Sequence, residues 1–494
     1  MEIELKLRLP PSGLEALRAD PLFANVRKIH KELDNIYFDT PQLDLAEAGI
    51  GLRLRRDGKR WLQTVKGRGS SQAGLHQREE IEFLLAGPAL EWTQLAGTAF
   101  ESVLLPLKDK LVPQFQTLFN RDVMQLRGAT GAKIEMAIDH GDILAGERRE
   151  PLCEVELELV SGSVDDLFAL ALLLVERHPL VVDNRSKAER GGRLAQKTSV
   201  LNRPVKADVL KLKPEADAQA LARLAVEHAL AHWQANEAGF LSNPENIEYL
   251  HQVRVAVRRL RVACGPLAQA IDWHHEALAP VLGSLQKLGQ QLGQARDWDV
   301  FIEETWPPLI DHLNDAALRQ LLQEAAELLQ STAHLQAQAA IKGREGQRVL
   351  LQLGRCLAQP DDTTSSSSIS FNVLNERMDR LEQRLRKALP KLDRLSAPRL
   401  HQLRIVAKKL RYLTEFVGNR YDQKAVEEWI EWLKEAQGIF GARNDRTTAK
   451  ARIETLCAAL DVPSNKVRKT LQAALREQPL PNLSLPPLPE PYWR

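Results

Sequence analysis

Cysteine is scarce: Cys153, Cys264, Cys356 and Cys457 are the four in 494 residues, far apart and with no CxxC spacing. That argues against a disulfide framework or a thiolate zinc site, and a reducing, cytoplasmic setting is expected. No apolar run approaches the roughly 20 residues of a membrane span, so no membrane partner is expected. The opening Met1-Glu2-Ile3-Glu4 lacks the basic start and apolar stretch of a signal peptide. Charge of one sign is also missing, since 67 Lys and Arg face 65 Asp and Glu for a net +2. A global basic field is thus absent, and with aromatics at 5% and not interleaved with basic stretches, nucleic-acid binding is disfavoured. There is no GxxxxGK[ST] loop, HExxH pair or nucleophile elbow, which sets aside P-loop, zincin and serine-hydrolase chemistry.

What is present changes texture along the chain. Period-two alternation marks strands over 2–9, 51–56, 61–66, 76–84, 133–143 and 153–160, with weaker ones over 33–39 and 116–126. Helical patterns fall at 12–19, 92–110 and 164–178. After a polar linker at 201–213, Ala-, Leu-, Gln- and Glu-rich stretches with 3.6 periodicity predict an all-α part from 214 to 494. Its halves are 214–360 and 371–478, separated by the low-complexity run DDTTSSSSIS and followed by a proline-rich tail over 479–494. The predicted class is α+β: an N-terminal domain over 1–200 built as an eight-stranded antiparallel β-barrel with flanking helices, then two pseudo-symmetric helical bundles.

In Glu2-Ile3-Glu4-Leu5-Lys6-Leu7-Arg8 every even position is charged and every odd one apolar. On a strand the two sets occupy opposite faces. The design recurs in Arg53 and Arg55 between Leu52 and Leu54, in Arg78, Glu80 and Glu82, and in Glu154, Glu156 and Glu158. One such strand is commonly the wet face of a sheet. Repeated over several strands of a barrel covered by helices, the charges would point into a shared tunnel. Arg and Lys can neutralise a linear phosphoanhydride there, and carboxylates belong beside it if they hold Mg²⁺ or Mn²⁺, which prefer oxygen ligands.

These residues resemble the CYTH, or triphosphate tunnel metalloenzyme, superfamily. The resemblance runs in order through Glu2-x-Glu4-x-Lys6, Tyr37-Phe38-Asp39-Thr40-Pro41, Leu52-Arg53-Leu54-Arg55, Lys66, Arg78-x-Glu80-x-Glu82, Arg121, Asp139, Glu154-x-Glu156-x-Glu158 and Ser186-Lys187. Gly192-Arg193 departs from it, standing where an aromatic is expected. It implies metal-dependent hydrolysis of inorganic triphosphate. Lys6, Arg53, Arg55, Lys66, Arg78, Arg121 and Lys187 would bind substrate. Glu2, Glu4, Glu156 and Glu158 would hold metal, with Glu80, Glu82, Asp139 and Glu154 as supporting carboxylates. Lys66, Glu156 and Glu158 are the implied catalytic residues. Thiamine triphosphatases and adenylyl cyclases share the superfamily, so an organic triphosphate is an alternative substrate; Trp61 and Tyr37 are the candidate platforms. A non-catalytic polyphosphate-binding scaffold is a third reading.

The helical part carries a repeated basic stripe. His251, Arg254, Arg258 and Arg261 follow i, i+3, i+7, i+10 spacing, and His401, Arg404, Lys408 and Arg411 repeat it. A second shared feature follows each, Leu292-Gly293-Gln294-Ala295-Arg296-Asp297 and Phe440-Gly441-Ala442-Arg443-Asn444-Asp445. A lone stripe is usually a solvated face; two matched ones suit a groove for a polyanion. The pair resembles the CHAD domain, which implies that these eight residues bind inorganic polyphosphate.

Overall fold

The computed structural model describes residues 1–196, 203–213, 216–359, 371–460, 464–480 and 482–494, with the side chains of Arg443, Asn444 and Ser464 excepted. The run at 361–370, the start of the linker at 201–202 and Pro214 lie outside them. Two compact units emerge: Met1–Leu201 with Lys342–Pro360, and Asn202–Ile341 with Asp361–Arg494. Lys342–Pro360, expected in the helical half, therefore belongs to the first unit.

The first unit is an antiparallel curled half-barrel. Its strands are β1 (Glu2–Arg8), β2 (Lys28–Asp39), β3 (Gly51–Asp57), β4 (Arg60–Lys66), β5 (Ser70–Gln72), β6 (Leu75–Arg78), β7 (Glu80–Leu85), β8 (Val112–Arg127), β9 (Lys133–Ala145), β10 (Arg148–Ser161) and β11 (Val181–Val182). Ten follow one hydrogen-bonded path, β5-β6-β1-β10-β9-β8-β2-β3-β4-β7, and β11 pairs with β1. The sequence predicted eight. The difference arises at 76–84, where Glu79 interrupts the run: β6 pairs with β1 while β7 pairs with β4. The short β5 and β11 carry too few residues for a periodicity signal.

Alternation on β1 acts as predicted for a sheet covered on its outer face. Leu5 and Leu7 are fully buried, and the amphipathic helix Val164–Arg177 packs against β1 and β10. Glu4 and Lys6, on the opposite face, are buried too. The helix predicted over 92–110 is instead a 3₁₀ turn at Thr93–Leu95, a single α-turn at Glu101–Leu104 and a 3₁₀ segment at Leu105–Lys110. Gly97 takes a left-handed φ of 77° and Pro106 cannot donate, so a continuous helix is excluded.

The second unit is helical, with long helices Ala218–Ser242, Ile247–Val262, His275–Val300, Ala316–Lys342, Phe371–Ala388, Ala397–Val417, Gln423–Ala459 and Ser464–Glu477. Side-chain caps start four of them: Asp217 accepts from Ala220 N, Asn246 from Glu248 N, Asp315 from Leu318 N and Asp422 from Ala425 N. Residues 203–213 have no helix or strand, yet Leu210 and Leu212 are buried and Val205 N donates to Asn236. The expected linker is in that stretch part of the unit.

The C-terminal tail also docks within this unit. Trp429 and Trp432 donate their indole N–H groups to the carbonyls of Glu490 and Pro486 at 2.8 and 2.9 Å. Trp493 is buried and donates to Asp379 at 2.8 Å. Proline leaves these carbonyls without competing backbone partners, so the tryptophans take them. Trp493→Ala is expected to destabilise the helical unit by about 3–5 kcal/mol and to red-shift its tryptophan emission. Equilibrium denaturation of the full chain measures both; an unchanged midpoint would show that the tail adds nothing to the core.

Candidate functional site

Strand register assembles the site. Across β1 and β10, Glu4 faces Glu158, Lys6 faces Glu156 and Arg8 faces Glu154; across β1 and β6, Glu2 faces Arg78 and Glu4 faces His76. Lys66 opposes Glu80, Arg121 opposes Asp139, and Asp139 opposes Glu154. Each pair shares a face, so the alternation read in single strands becomes a charge lattice on the concave side. This face encloses a cavity of about 960 Å³. Among the residues expected in the site, Glu2, Glu4, Lys6, Arg53, Arg55, Lys66, Arg78, Glu80, Glu82, Arg121, Glu156, Glu158 and Lys187 line it. Asp139 and Glu154 do not line it and are buried behind.

Lys187 reaches the cavity from the first turn of helix Lys187–Ala195. A capping box fixes that turn, with Ser186 accepting from Glu189 N at 3.1 Å and Glu189 accepting from Ser186 N at 2.6 Å. The Lys187 ammonium meets Asp139 at 2.7 Å, Glu156 at 2.9 Å and Glu154 in a short contact. Asp139, Glu154 and Glu156 are a buried carboxylate trio whose oxygens lie within 4.8 Å of one another, a spacing suited to a cation. The chain's own ammonium already fills it. Arg190, which the sequence reading passed over, completes the shell: it donates to Glu154 at 3.0 Å, Glu150 at 2.7 Å and the Pro151 carbonyl at 2.8 Å. Its place three residues after Lys187, on the same helix face, was the available signal.

Glu156, expected among the metal ligands, has both oxygens engaged, by Lys6 at 3.0 Å, Lys187 at 2.9 Å and Arg121 at 2.5 Å. Burial would raise its pKa, but Lys187, Lys6 and Arg121 outweigh that and hold it well below the ordinary carboxylate range. Burial opposes ionisation at Glu4 too, yet Lys6, with Lys66 and Arg78 behind it, brings the carboxyl down to about 2. Arg121 grips Asp139 with two bonds of 2.7 and 2.6 Å.

Two zones remain unbalanced. At Glu2, burial together with Glu4 and Glu80 overcomes Lys66 and pushes the carboxyl up to about 7. Glu158 is raised by burial and by Glu135, Glu4 and Glu80; no cationic side chain pairs with it among the described residues. Glu135 was not among the expected site residues. The opposite excess lies at Arg53 and Arg55. Arg53 donates to Thr64 at 3.2 Å and Tyr37 at 3.4 Å, Arg55 to Asn35 at 2.8 Å, and the carboxylates of Glu80 and Glu82 stay 3.8–3.9 Å away. Burial, Arg53 and Arg121 lower the Arg55 guanidinium to about 10. A cavity with surplus carboxylate in one zone and surplus guanidinium in another suits a cation and an anion bound together. Tyr37 stacks on Phe115 at 4.5 Å, and both line the cavity; Trp61 does not.

Residues 1–191 match the CYTH domain family and residues 224–454 the CHAD domain family. The chain joins a CYTH domain to a CHAD domain. It is 37% identical over 199 residues to the inorganic triphosphatase of Haemophilus influenzae, an alignment covering 40% of this chain and 55% of that protein. The chain thus spans about half the length of this curated relative. Among solved structures, the CHAD domain of the plant Ricinus communis aligns at 23% identity and a TM-score of 0.44, covering 56% of this chain and 98% of that one. A putative adenylyl cyclase from Hippeastrum, described as having a dominant triphosphatase activity, aligns at 23% identity and a TM-score of 0.30, covering 39% and 96%.

In the second unit the two basic stripes converge. Helices Ile247–Val262 and Ala397–Val417 touch, and Lys408 lies in the field of Arg404, Arg258, Arg254 and Arg411. Burial first, then these guanidiniums, lower its amine to about 6. The shared glycines explain the second feature of each stripe: a Cβ on Gly293 would lie 2.9 Å from the Arg254 guanidinium, and one on Gly441 3.3 Å from that of Arg404. Nε atoms of Arg258, Arg404 and Arg411 are buried with no hydrogen-bond partner among the described residues. Asp297 lies 3.6 Å from Arg452, and Asp445 3.8 Å from Arg404. Arg261 stands apart, beside Lys409 with Arg377 and Arg384, while burial and Arg296 lower the pKa of His251. His401 lies at the exposed start of its helix. Arg296 was read as part of the second shared feature, whereas Arg377, Arg384 and Arg452 were not singled out because they fall outside both repeated patterns.

His76 gives a test of the lattice. Burial, then Lys6 and Arg78, lower its pKa to about 3, so the folded ring stays neutral. The unfolded ring takes up a proton below about pH 6.5, which the folded one resists, so stability falls as pH drops from 6.5 towards 3. His76→Gln should lose about 2 kcal/mol less stability than wild type between pH 7 and 5, at about 1.4 kcal/mol per pH unit. Thermal unfolding across that range reads it; equal losses would place His76 outside the lattice.

Proposed function

We propose that the CYTH domain hydrolyses inorganic triphosphate to pyrophosphate and phosphate with a divalent cation, and that the CHAD domain binds inorganic polyphosphate. The observation that carries the first part is the charge imbalance of the cavity: Glu158 pairs with no cationic side chain among the described residues, while Arg53 and Arg55 stay 3.8–3.9 Å from the carboxylates of Glu80 and Glu82 in the same enclosure. The activity named for the Haemophilus relative supports the choice of substrate.

The donor set fits a hard cation. Glu2, Glu4 and Glu158 would hold Mg²⁺ or Mn²⁺, all three offering oxygen and lining the same cavity. When bound, such an ion neutralises phosphoryl oxygens and acidifies water. Arg53, Arg55, Arg121, Lys6, Arg78 and Lys187 would bind the phosphate oxygens, orienting the chain for in-line attack by water at the terminal phosphorus. Lys66, held by Glu2 at 2.7 Å and Glu80 at 3.2 Å, stands to balance charge on the departing pyrophosphate. Glu158, with no cation of its own, would accept the proton that the water gives up. Glu156 holds Lys6, Arg121 and Lys187 in place, with Glu80, Glu82, Asp139 and Glu154 in support.

An organic triphosphate, as in thiamine triphosphatases or adenylyl cyclases, would need an open ring face. Tyr37 and Phe115 are only 6% and 9% exposed, so their stack offers little, and the inorganic substrate is favoured. Glu4→Gln should lower phosphate release from inorganic triphosphate by about 100-fold or more, beyond the 10–100-fold typical of outer-shell partners, with far-UV circular dichroism unchanged. Wild-type turnover in that variant would remove Glu4 from the site. Inorganic triphosphate, thiamine triphosphate and ATP assayed side by side, with and without chelator, decide substrate and metal.

For the CHAD domain, the half-buried guanidiniums whose Nε atoms have no hydrogen-bond partner among the described residues are sites a polyanion's oxygens would fill. Calorimetry of the full chain with long-chain polyphosphate should show affinity falling as salt rises. Above pH 6 the Lys408 amine is largely neutral. A bound polyanion favours the ammonium, so binding should take up a proton and strengthen as pH falls towards 6. Buffers of different ionisation enthalpy measure that proton, and Lys408→Met should abolish it.

A further inference from the structure

The strand carrying Glu4 and Lys6 is held from behind by two loops. Lys6 N donates to the Gly74 carbonyl at 2.9 Å, and Asp183 N donates to the Lys6 carbonyl at 3.2 Å. The same loops are tied to each other: Gly74 N donates to the Asn184 side chain at 2.7 Å, and the Ser71 hydroxyl to the Asn184 carbonyl at 2.9 Å. Both peptide groups of Lys6 thus depend on the β5–β6 turn and on the stretch that continues β11.

Those two loops rest on a helix from far along the chain. Helix Arg344–Ala358 packs against Val164–Arg177 and β11. Val182, paired with Leu7 of β1, turns its other edge to this helix, and its N–H donates to Gln347 Oε1 at 2.7 Å. Gln347 is fully buried, so this side chain caps a strand edge that water does not reach. One helical turn pair further on, Gly354 meets the β5–β6 turn: a Cβ there would lie 2.5 Å from that of Ala73, which is buried and left-handed at φ 51°. Arg355 anchors the helix through two 2.6 Å bonds to Asp165.

We infer that Gln347 is a positioning residue of the triphosphate site, setting β11 and through it the strand of Glu4 and Lys6; the inference rests on the hydrolytic reading of that site. Its helix lies inside the stretch that matches the CHAD family, yet it folds with the CYTH unit. The CYTH domain is accordingly completed by residues that neither family boundary assigns to it. Gln347 is not among the residues that line the cavity, and it acts through Val182, Asp183 and Lys6.

The test uses the full chain with Gln347→Leu, which removes the acceptor at similar volume, and Gln347→Glu, which keeps an acceptor oxygen. Steady-state hydrolysis of inorganic triphosphate with Mg²⁺ is measured beside amide hydrogen exchange of peptides spanning β1 and β11. Gln347→Leu should lower kcat/KM at least tenfold and speed exchange at β1 and β11, while Gln347→Glu recovers most of both. Unchanged kcat/KM and exchange in Gln347→Leu would overturn the inference, and so would exchange accelerating evenly across the barrel, which marks a general structural role. A wild-type chain that leaves triphosphate intact defeats the hydrolytic reading instead, and the exchange pattern still decides whether Gln347 sets β1.

Discussion

A charge placed on the concave side of a covered sheet loses most of its water, and only another charge or a ligand can replace it. The cost of removing one partner from a buried ion pair is about 3–5 kcal/mol, so such a lattice is built whole. Here β1, β4, β7, β8, β9 and β10 together contribute both signs, and register brings them into contact: Lys6 between Glu4 and Glu156, Lys66 between Glu2 and Glu80, Arg121 on Asp139 and Glu156. Where the lattice balances, as at Asp139 and Glu154, the carboxylates are already answered by the chain's own cations. Where it does not, at Glu2, Glu158 and Arg55, the protein has left room for something of its own.

The same rule operates in the helical unit with one sign only. Burial and the guanidiniums of two helices pull the Lys408 amine down, and the Nε atoms of Arg258, Arg259, Arg404, Arg411 and Arg452 are buried with no hydrogen-bond partner among the described residues. Gly293 and Gly441 supply the space that lets Arg254 and Arg404 approach the neighbouring helix closely. Compensation is thin, coming from Asp297, Asp445 and Glu415. A surface like this is tolerated because it is only half buried, and a bound anion would offset its like-charge repulsion.

Much of this could be read from the chain before any coordinates. Strict alternation in β1 and β10 announced a strand with a charged face, because side-chain direction on a strand has period two. Thirteen of the expected CYTH residues line one cavity. Other features escaped for physical reasons. The 92–110 stretch has helical spacing but also Gly97 and Pro106, and backbone sterics prevailed over pattern. Glu79 breaks a continuous apolar-polar run because the curled sheet requires β6 and β7 to pair with different neighbours. The proline-rich tail reads as loose chain, yet Trp429 and Trp432 hold its carbonyls.

Sequence alone determined which faces carry charge, where strands give way to helices, and which short patterns repeat, since each of these depends on spacing within a few residues. Only the tertiary structure decided which carboxylates are answered and which are left over. Glu156 and Glu158 sit on one face two residues apart, and nothing local distinguishes them; Lys6, Arg121 and Lys187, arriving from other elements, neutralise the first and leave the second. The placing of Gln347 beside Val182 is likewise a long-range contact. Its hydrogen bond joins residues whose separation along the chain no periodicity spans.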